Sequence, residues 1–198
     1  NSKLMMLGSC FAENMGGKFS YYKFDVDVNP CGIIYNPLSV ANVLRLIMEG
    51  KPFGKDDLRK VGEKWVSLYH HGAFSSTDPE ECLRRINERL ERATRELRSL
   101  DLLVITWGTA WVYKHVGENM VVSNCHKIPS QEFERSRLSV EDIVEEYVGL
   151  IGRLREINPG LRVLFTVSPI RHWKDGAHGN QLSKATLLLA IDQLREKL

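Results

Sequence analysis

Gly8-Ser9-Cys10 follows a short apolar run, Lys3 to Leu7, and precedes a helical pattern running from about Phe11 to Phe19. Two potential nucleophiles therefore stand side by side where a strand turns into a helix. A helix N-terminus favours the anionic form of a thiol, whereas a serine hydroxyl needs an adjacent base to attack. Three other segments leave apolar runs in the same way: Pro30-Cys31-Gly32, Trp107-Gly108-Thr109 and Ser168-Pro169-Ile170-Arg171-His172. Together the four loops offer a nucleophile, glycine amides as oxyanion donors, and a base, which is the equipment of acyl transfer. A small cysteine after a strand is also ordinary core packing, so no one segment is decisive.

Several other side chains could reach the same pocket. Arg171 suits a substrate carboxylate or phosphate, or the cap of the last helix. Asn124 and His126 follow a hairpin and could line the pocket or form an exposed polar turn. Trp107, Trp111 and Trp173 stand near its expected rim, where rings either bind sugars or pack the core. His70-His71 and Cys125-His126 lack the ligand spacing of a zinc site, so no metal is expected, and no cofactor is implied.

The loops need a scaffold that lines them up. Short apolar runs alternate with helical periods, which predicts an α/β fold with parallel strands and crossover helices. Buried strands are predicted at Lys3 to Leu7, Asp101 to Thr106 and Leu161 to Val167, with an alternating one at Asp25 to Asn29. Asn36 with Pro37 starts a helix that Gly50 ends, and Thr77 or Asp78 with Pro79 starts another. Ser139 with Asp142 resembles a capping box, and a last helix over 181–198 carries a Leu187-Leu188-Leu189 stripe. Trp111 to Val122 reads as a hairpin turning at Gly117-Glu118-Asn119. The expected architecture is one domain over 1–198, a three-layer αβα sandwich with a mostly parallel sheet, flavodoxin-like, and a small β-hairpin insertion. In such a sheet ligands bind beyond the carboxyl ends of the strands, where the four loops emerge.

Bulk properties narrow the function classes. At 198 residues, 43% hydrophobic and 26% charged, the chain is long enough to bury a core without staples. A net charge of +2 with interspersed signs argues against nucleic acid as a partner. No apolar run approaches the roughly 18 residues that span a bilayer, so no membrane partner is expected. Four cysteines without a CxxC pair suggest reduced thiols and a cytoplasmic setting.

Gly8-Ser9-Cys10-Phe11-Ala12 resembles the signature of the bacterial GSCFA family. Asn124-Cys125-His126-Lys127 and Ser168-Pro169-Ile170-Arg171-His172 are also similar to that family, and the likeness covers essentially the whole chain. The family is grouped with the SGNH hydrolases, which carry a GDS turn, a glycine loop, a GxND loop and a late Asp-x-x-His. The resemblance implies a hydrolase or acyltransferase acting on acyl esters, of small molecules or of glycans. It puts Cys10, rather than Ser9, at the nucleophile position, although a shift of the turn by one residue would exchange them. It puts the amides of Gly32 and Gly108 around the oxyanion and Ala110 where the family pattern has Asn. No Asp-x-x-His occurs in the chain, and Pro169 stands three residues before His172. Either His172 serves as base, or the Asp-x-x-His lies on a strand-loop-helix unit beyond Leu198. The missing Asn and Asp-x-x-His leave open a non-catalytic binding module on the same scaffold.

Overall fold

Strand β1 (Lys3–Gly8) is buried along nearly its whole length because it serves two cores at once. Met5 and Leu7 enter the main core, while Met6 joins Ala12 and Val104 on the opposite face. An apolar residue at almost every position is what a strand covered on both faces requires. The computed structural model describes residues 2–198.

After β1 come α1 (Cys10–Tyr21), β2 (Asp25–Val28) and α2 (Pro37–Glu49). A two-stranded hairpin of β3 (Arg59–Val61) and β4 (Lys64–Val66) leads to α3 (Pro79–Leu97) and β5 (Leu102–Trp107). A second antiparallel sheet is formed by β6 (Trp111–His115), β7 (Met120–Val121) and β8 (Phe133–Arg137). The chain then runs through α4 (Val140–Ile157), β9 (Arg162–Val167) and α5 (Gly176–Lys197).

The main sheet has the order β2-β1-β5-β9, with every pair parallel. Buried side chains of α2, α3, α4 and α5 share the main core, with Tyr147 and Trp107 among its largest members. Among the described residues only α1 covers the other face, through Ala12, Met15 and Phe19. This is the three-layer α/β arrangement expected, with the small antiparallel sheet after β5. That sheet has a third strand, β8, which the sequence pattern did not disclose. The β3–β4 hairpin is equally silent in the sequence, because strands of three residues are too short to show a period.

The helix caps match the residues that suggested them. The Asn36 side chain accepts from the Ser39 amide at 2.8 Å, and Gly50 takes the left-handed conformation, φ +62°. Ser139 and Asp142 form a reciprocal capping box. Asp78, not Thr77, caps α3. Two expectations change. The last helix starts at Gly176, and its three leucines do not form one stripe: Leu187 is buried, whereas Leu188 and Leu189 are exposed. Consecutive residues on a helix point about 100° apart, so three in a row cannot share a face. No helix is long and apolar enough to cross a membrane among the described residues.

From β1 the chain crosses to β2 over one face, then returns to β5 on the other side of β1 through α2 and α3 over the opposite face. The connections thus diverge between the carboxyl ends of β1 and β5, leaving a crevice there.

Candidate active site

Register aligns the strand ends. Gly8 lies beside Thr106, and Thr106 beside Thr166, so the turns after β1, β5 and β9 leave the sheet at one level. Gly8 has φ +132°, and a Cβ on it would stand 2.0 Å from the Thr106 carbonyl oxygen. Only glycine allows the nucleophile turn to pass this close to β5. The turn is pinned from several sides. The Gly8 amide donates to Asn29 Oδ1 at 2.9 Å, and the Ser9 amide to the Thr106 carbonyl at 3.1 Å. Asn29, buried at φ +44°, in turn donates to Glu13 Oε2 at 2.6 Å.

The helix opens one residue earlier than its periodicity suggested. Ser9 is the N-cap of α1, with its Oγ accepting from the Phe11 amide at 3.3 Å. Ser9 is buried, while Cys10, the first helical residue, is partly exposed. Gly108 sits opposite. A Cβ placed on it would lie 3.4 Å from His172 Nε2, 3.4 Å from Ser9 Cβ and 3.2 Å from Tyr35 Cδ1. Imidazole, serine and tyrosine thus gather on the bare side of this glycine. The His172 amide donates a hydrogen bond to Asn180 Oδ1 at 3.1 Å, and its ring meets Tyr35 edge-on at 5.6 Å.

The electrostatics of these groups are coupled. Burial first, and the Lys184 ammonium second, hold the His172 imidazole below the usual histidine range, against opposing effects of Asp175 and the Gly108 backbone. Lys184 emerges from α5 and donates to the carbonyls of Gly108 and Ser168. Burial lowers its own pKa, and the neighbouring Cys10 acts in the opposite direction. Burial, with a contribution from Cys10, raises the Tyr35 phenol.

A cleft of about 440 Å³ opens from this point towards the small antiparallel sheet. Tyr35, Thr109, His172 and Asn124 line it, with Trp111 and Tyr113 along one wall. Arg135 stacks over Trp111 at 4.1 Å and pairs with Asp175, and Lys174 donates to the Tyr113 hydroxyl at 2.5 Å.

The residues singled out from sequence are only partly brought together. Ser9, Gly108 and His172 converge, with Cys10 next to Ser9 at the start of α1, and Asn124 reaches the cleft wall while its Oδ1 accepts from the His126 amide at 2.8 Å. His126 itself is a correction. Its Nε2 pairs with the Ser67 carbonyl at 2.8 Å, on the side of His70 and away from the cleft lining. Arg171 is exposed and is not part of that lining. The glycine amides also differ from expectation. The Gly32 amide donates to the Asn29 carbonyl at 2.8 Å, and the Gly108 amide to the Tyr35 carbonyl at 2.7 Å. Both are committed to holding loops and are not free for an oxyanion. Trp107 is a core residue, Trp111 a cleft residue, and Trp173 is exposed. All four cysteines are free thiols, and burial pushes Cys31 up to about 12, which leaves it a packing residue. Among the described residues no group of three His, Cys, Asp or Glu is placed to hold a metal ion.

Sequence reasoning missed Asn29, Tyr35, Asn180 and Lys184. Asn29, before Pro30 at a strand end, carries a turn signal that could have marked it. Lys184 sits in a helical pattern with no local sign of its role.

The signature Gly8-Ser9-Cys10-Phe11-Ala12 therefore forms the turn and first helical residues of this centre. The model of the GSCFA family matches residues 3–198. The chain belongs to the GSCFA family. No curated protein and no solved structure matches it. In this GSCFA chain the signature glycine permits the close strand approach, the serine caps α1, and the cysteine opens the helix at the crevice.

Proposed function

We propose that this GSCFA protein is an SGNH-like hydrolase or acyltransferase that acts on acyl esters, of small molecules or of glycans, through Cys10. The observation that carries the reading is the convergence of Ser9, Gly108 and His172 at the carboxyl ends of three parallel strands, beside a cleft, with Cys10 following Ser9 as the first residue of α1. Partial exposure favours Cys10 over the buried Ser9 as the attacking group. Its place at the start of α1 adds the partial positive charge of a helix N-terminus.

In the first half-reaction His172 takes the thiol proton and the sulfur attacks the ester carbonyl carbon. A carbon–sulfur bond forms, the carbonyl electron pair moves to oxygen, and the Cys10 amide at the start of α1 faces that oxyanion. Collapse restores the carbonyl and breaks the bond to the alcohol oxygen, which takes the proton back from His172. Water, or a second alcohol, then attacks the thioester with His172 again as base and regenerates the thiol. Hydrolysis and transfer share this intermediate.

The test is p-nitrophenyl acetate turnover by the parent chain and by Cys10→Ala and Ser9→Ala. Loss of turnover in Cys10→Ala with most of it retained in Ser9→Ala supports the reading. The reverse pattern makes Ser9 the nucleophile, and equal retention in both refutes nucleophilic catalysis at this turn.

A second reading, a binding module on a scaffold that has lost its machinery, is favoured by the engaged amides of Gly32 and Gly108 and by Ala110, which has no donor side chain. It expects saturable glycan-ester binding without turnover in the parent.

A further inference from the structure

The centre lacks the oxyanion donors that the loops first suggested. The amides of Gly32 and Gly108 are occupied, and the buried Ala110 offers only an amide, which already donates to Ser183 Oγ at 2.8 Å. Apart from the Cys10 amide, the negative charge of the attacking thiolate and of the tetrahedral intermediate beside it therefore needs another source of stabilisation.

The cations nearby differ in how they are employed. Arg135 is paired with Asp175, Lys174 is bound to the Tyr113 hydroxyl, and Arg171 is exposed away from the cleft lining. Lys184 stands apart. It is half-buried, has no carboxylate partner among the described residues, and binds instead to two carbonyls, Gly108 and Ser168. These belong to the turns after β5 and β9, which the register places level with Ser9. A half-buried ammonium held only by neutral dipoles retains its charge for whatever anion approaches. The Gly108 carbonyl brings this ammonium to the nucleophile turn, because Gly108 faces Ser9, whose Cβ would stand 3.4 Å from a Cβ on that glycine, and Cys10 follows Ser9 at the start of α1.

We propose that Lys184 is a positioning residue of the acyl-transfer centre. Its ammonium fastens the turns after β5 and β9 together and sets a fixed positive charge beside Cys10, offsetting the negative charge that acyl transfer builds there. The proposal rests on Cys10 as the nucleophile. None of Tyr35, His172 and Glu13 supplies such a charge. Tyr35, from the loop before α2, is a neutral phenol, and His172, from the loop after β9, is an imidazole held below its usual range. Glu13, one turn along α1, is an acid engaged with Asn29.

The measurement is the rate of Cys10 alkylation by anionic iodoacetate and by neutral iodoacetamide, resolved by peptide mass spectrometry on the full chain at one pH. The ratio of the two rates reads the local electrostatic potential and needs no ester turnover. Lys184→Gln, which keeps an N–H donor and removes the charge, is expected to lower the ratio at Cys10 by about threefold. The ratio at Cys125 should stay constant, and Lys184→Arg should retain the parent value at Cys10. An unchanged ratio in a folded Lys184→Gln overturns the proposal. Should that variant not fold, raising salt on the parent provides the same decision: the ratio at Cys10 falls if a fixed cation stands there, and a flat ratio sinks the idea. Failure here with turnover still lost in Cys10→Ala would leave the nucleophile in place without its cation. A Lys184-dependent ratio with turnover intact in Cys10→Ala would leave the cation without a nucleophile.

Discussion

Ser9 and Cys10 differ by one position, yet the start of α1 gives them different work. The Ser9 hydroxyl caps the helix, so Ser9→Ala should cost about 1 kcal/mol of stability, read from urea unfolding, while turnover falls far less than in Cys10→Ala. His172 is the acid–base group of the proposed mechanism. His172→Gln should lower p-nitrophenyl acetate turnover roughly 10²- to 10⁴-fold without changing the far-ultraviolet circular dichroism. A base must be unprotonated to act, and burial and Lys184 lower this imidazole's pKa. The acid limb of the parent rate profile should therefore lie below the ordinary histidine value of about 6.5. A limb at or above that value would remove His172 from the role.

At the scale of elements, the centre depends on how closely β1 and β5 approach. Gly8→Ala would place a methyl 2.0 Å from the Thr106 carbonyl at a φ that L-residues rarely adopt. The strands must part or the turn must refold, so the expected loss exceeds about 2 kcal/mol and turnover should disappear with it. An unchanged melting temperature in that variant would show that the turn is not as tight as described. Asn36 links two elements, capping α2 while its Nδ2 donates to Ser39 Oγ at 3.0 Å; that hydroxyl then donates to the Val122 carbonyl at 3.0 Å. Asn36→Ala should therefore cost at least the roughly 1 kcal/mol of a lost cap and loosen the segment that carries Asn124. Protection of the Ser39 amide from hydrogen exchange is the direct check.

For the whole molecule, the clearest solution signature is acid sensitivity. His70 is buried against Phe53 and Phe74, with Nδ1 on Ser67 Oγ at 2.9 Å. Burial, reinforced by His126, drives its pKa down to about 3. The unfolded chain takes up that proton near the usual 6.5, so between about 6.5 and about 3 it binds more protons than the folded one. Stability is present above this window and is lost as pH falls through it, by about 1.4 kcal/mol per unit for this group. Urea midpoints at pH 7 and pH 5 should differ clearly in the parent and less in His70→Gln. Equal slopes would mean that His70 is not buried in its neutral form.

The architecture was largely legible because its signals are local. Continuous apolar runs marked β1, β5 and β9, although β9, expected to be buried, is an edge strand with Leu164 exposed. Cap residues marked α2, α3 and α4, and small or titratable residues at strand ends marked the loops that could carry chemistry. What each loop contributes was not legible. The same glycine that offers an amide in sequence can spend it on a neighbouring carbonyl, as Gly108 does with Tyr35, and only packing decides which. His126 turned away for the same reason, finding the Ser67 carbonyl just after β4, distant in sequence. Lys184 shows the limit most plainly. Its helix position carries no motif, and its significance arises because α5 packs across the ends of β5 and β9, where two carbonyls need a donor. By itself the sequence determined the four strands of the parallel sheet, the caps and the family signature at Gly8 to Ala12, since these depend on neighbours along the chain. Tertiary structure decided which polar groups remain free to act, because each of them is satisfied, or left unsatisfied, by residues far away in sequence.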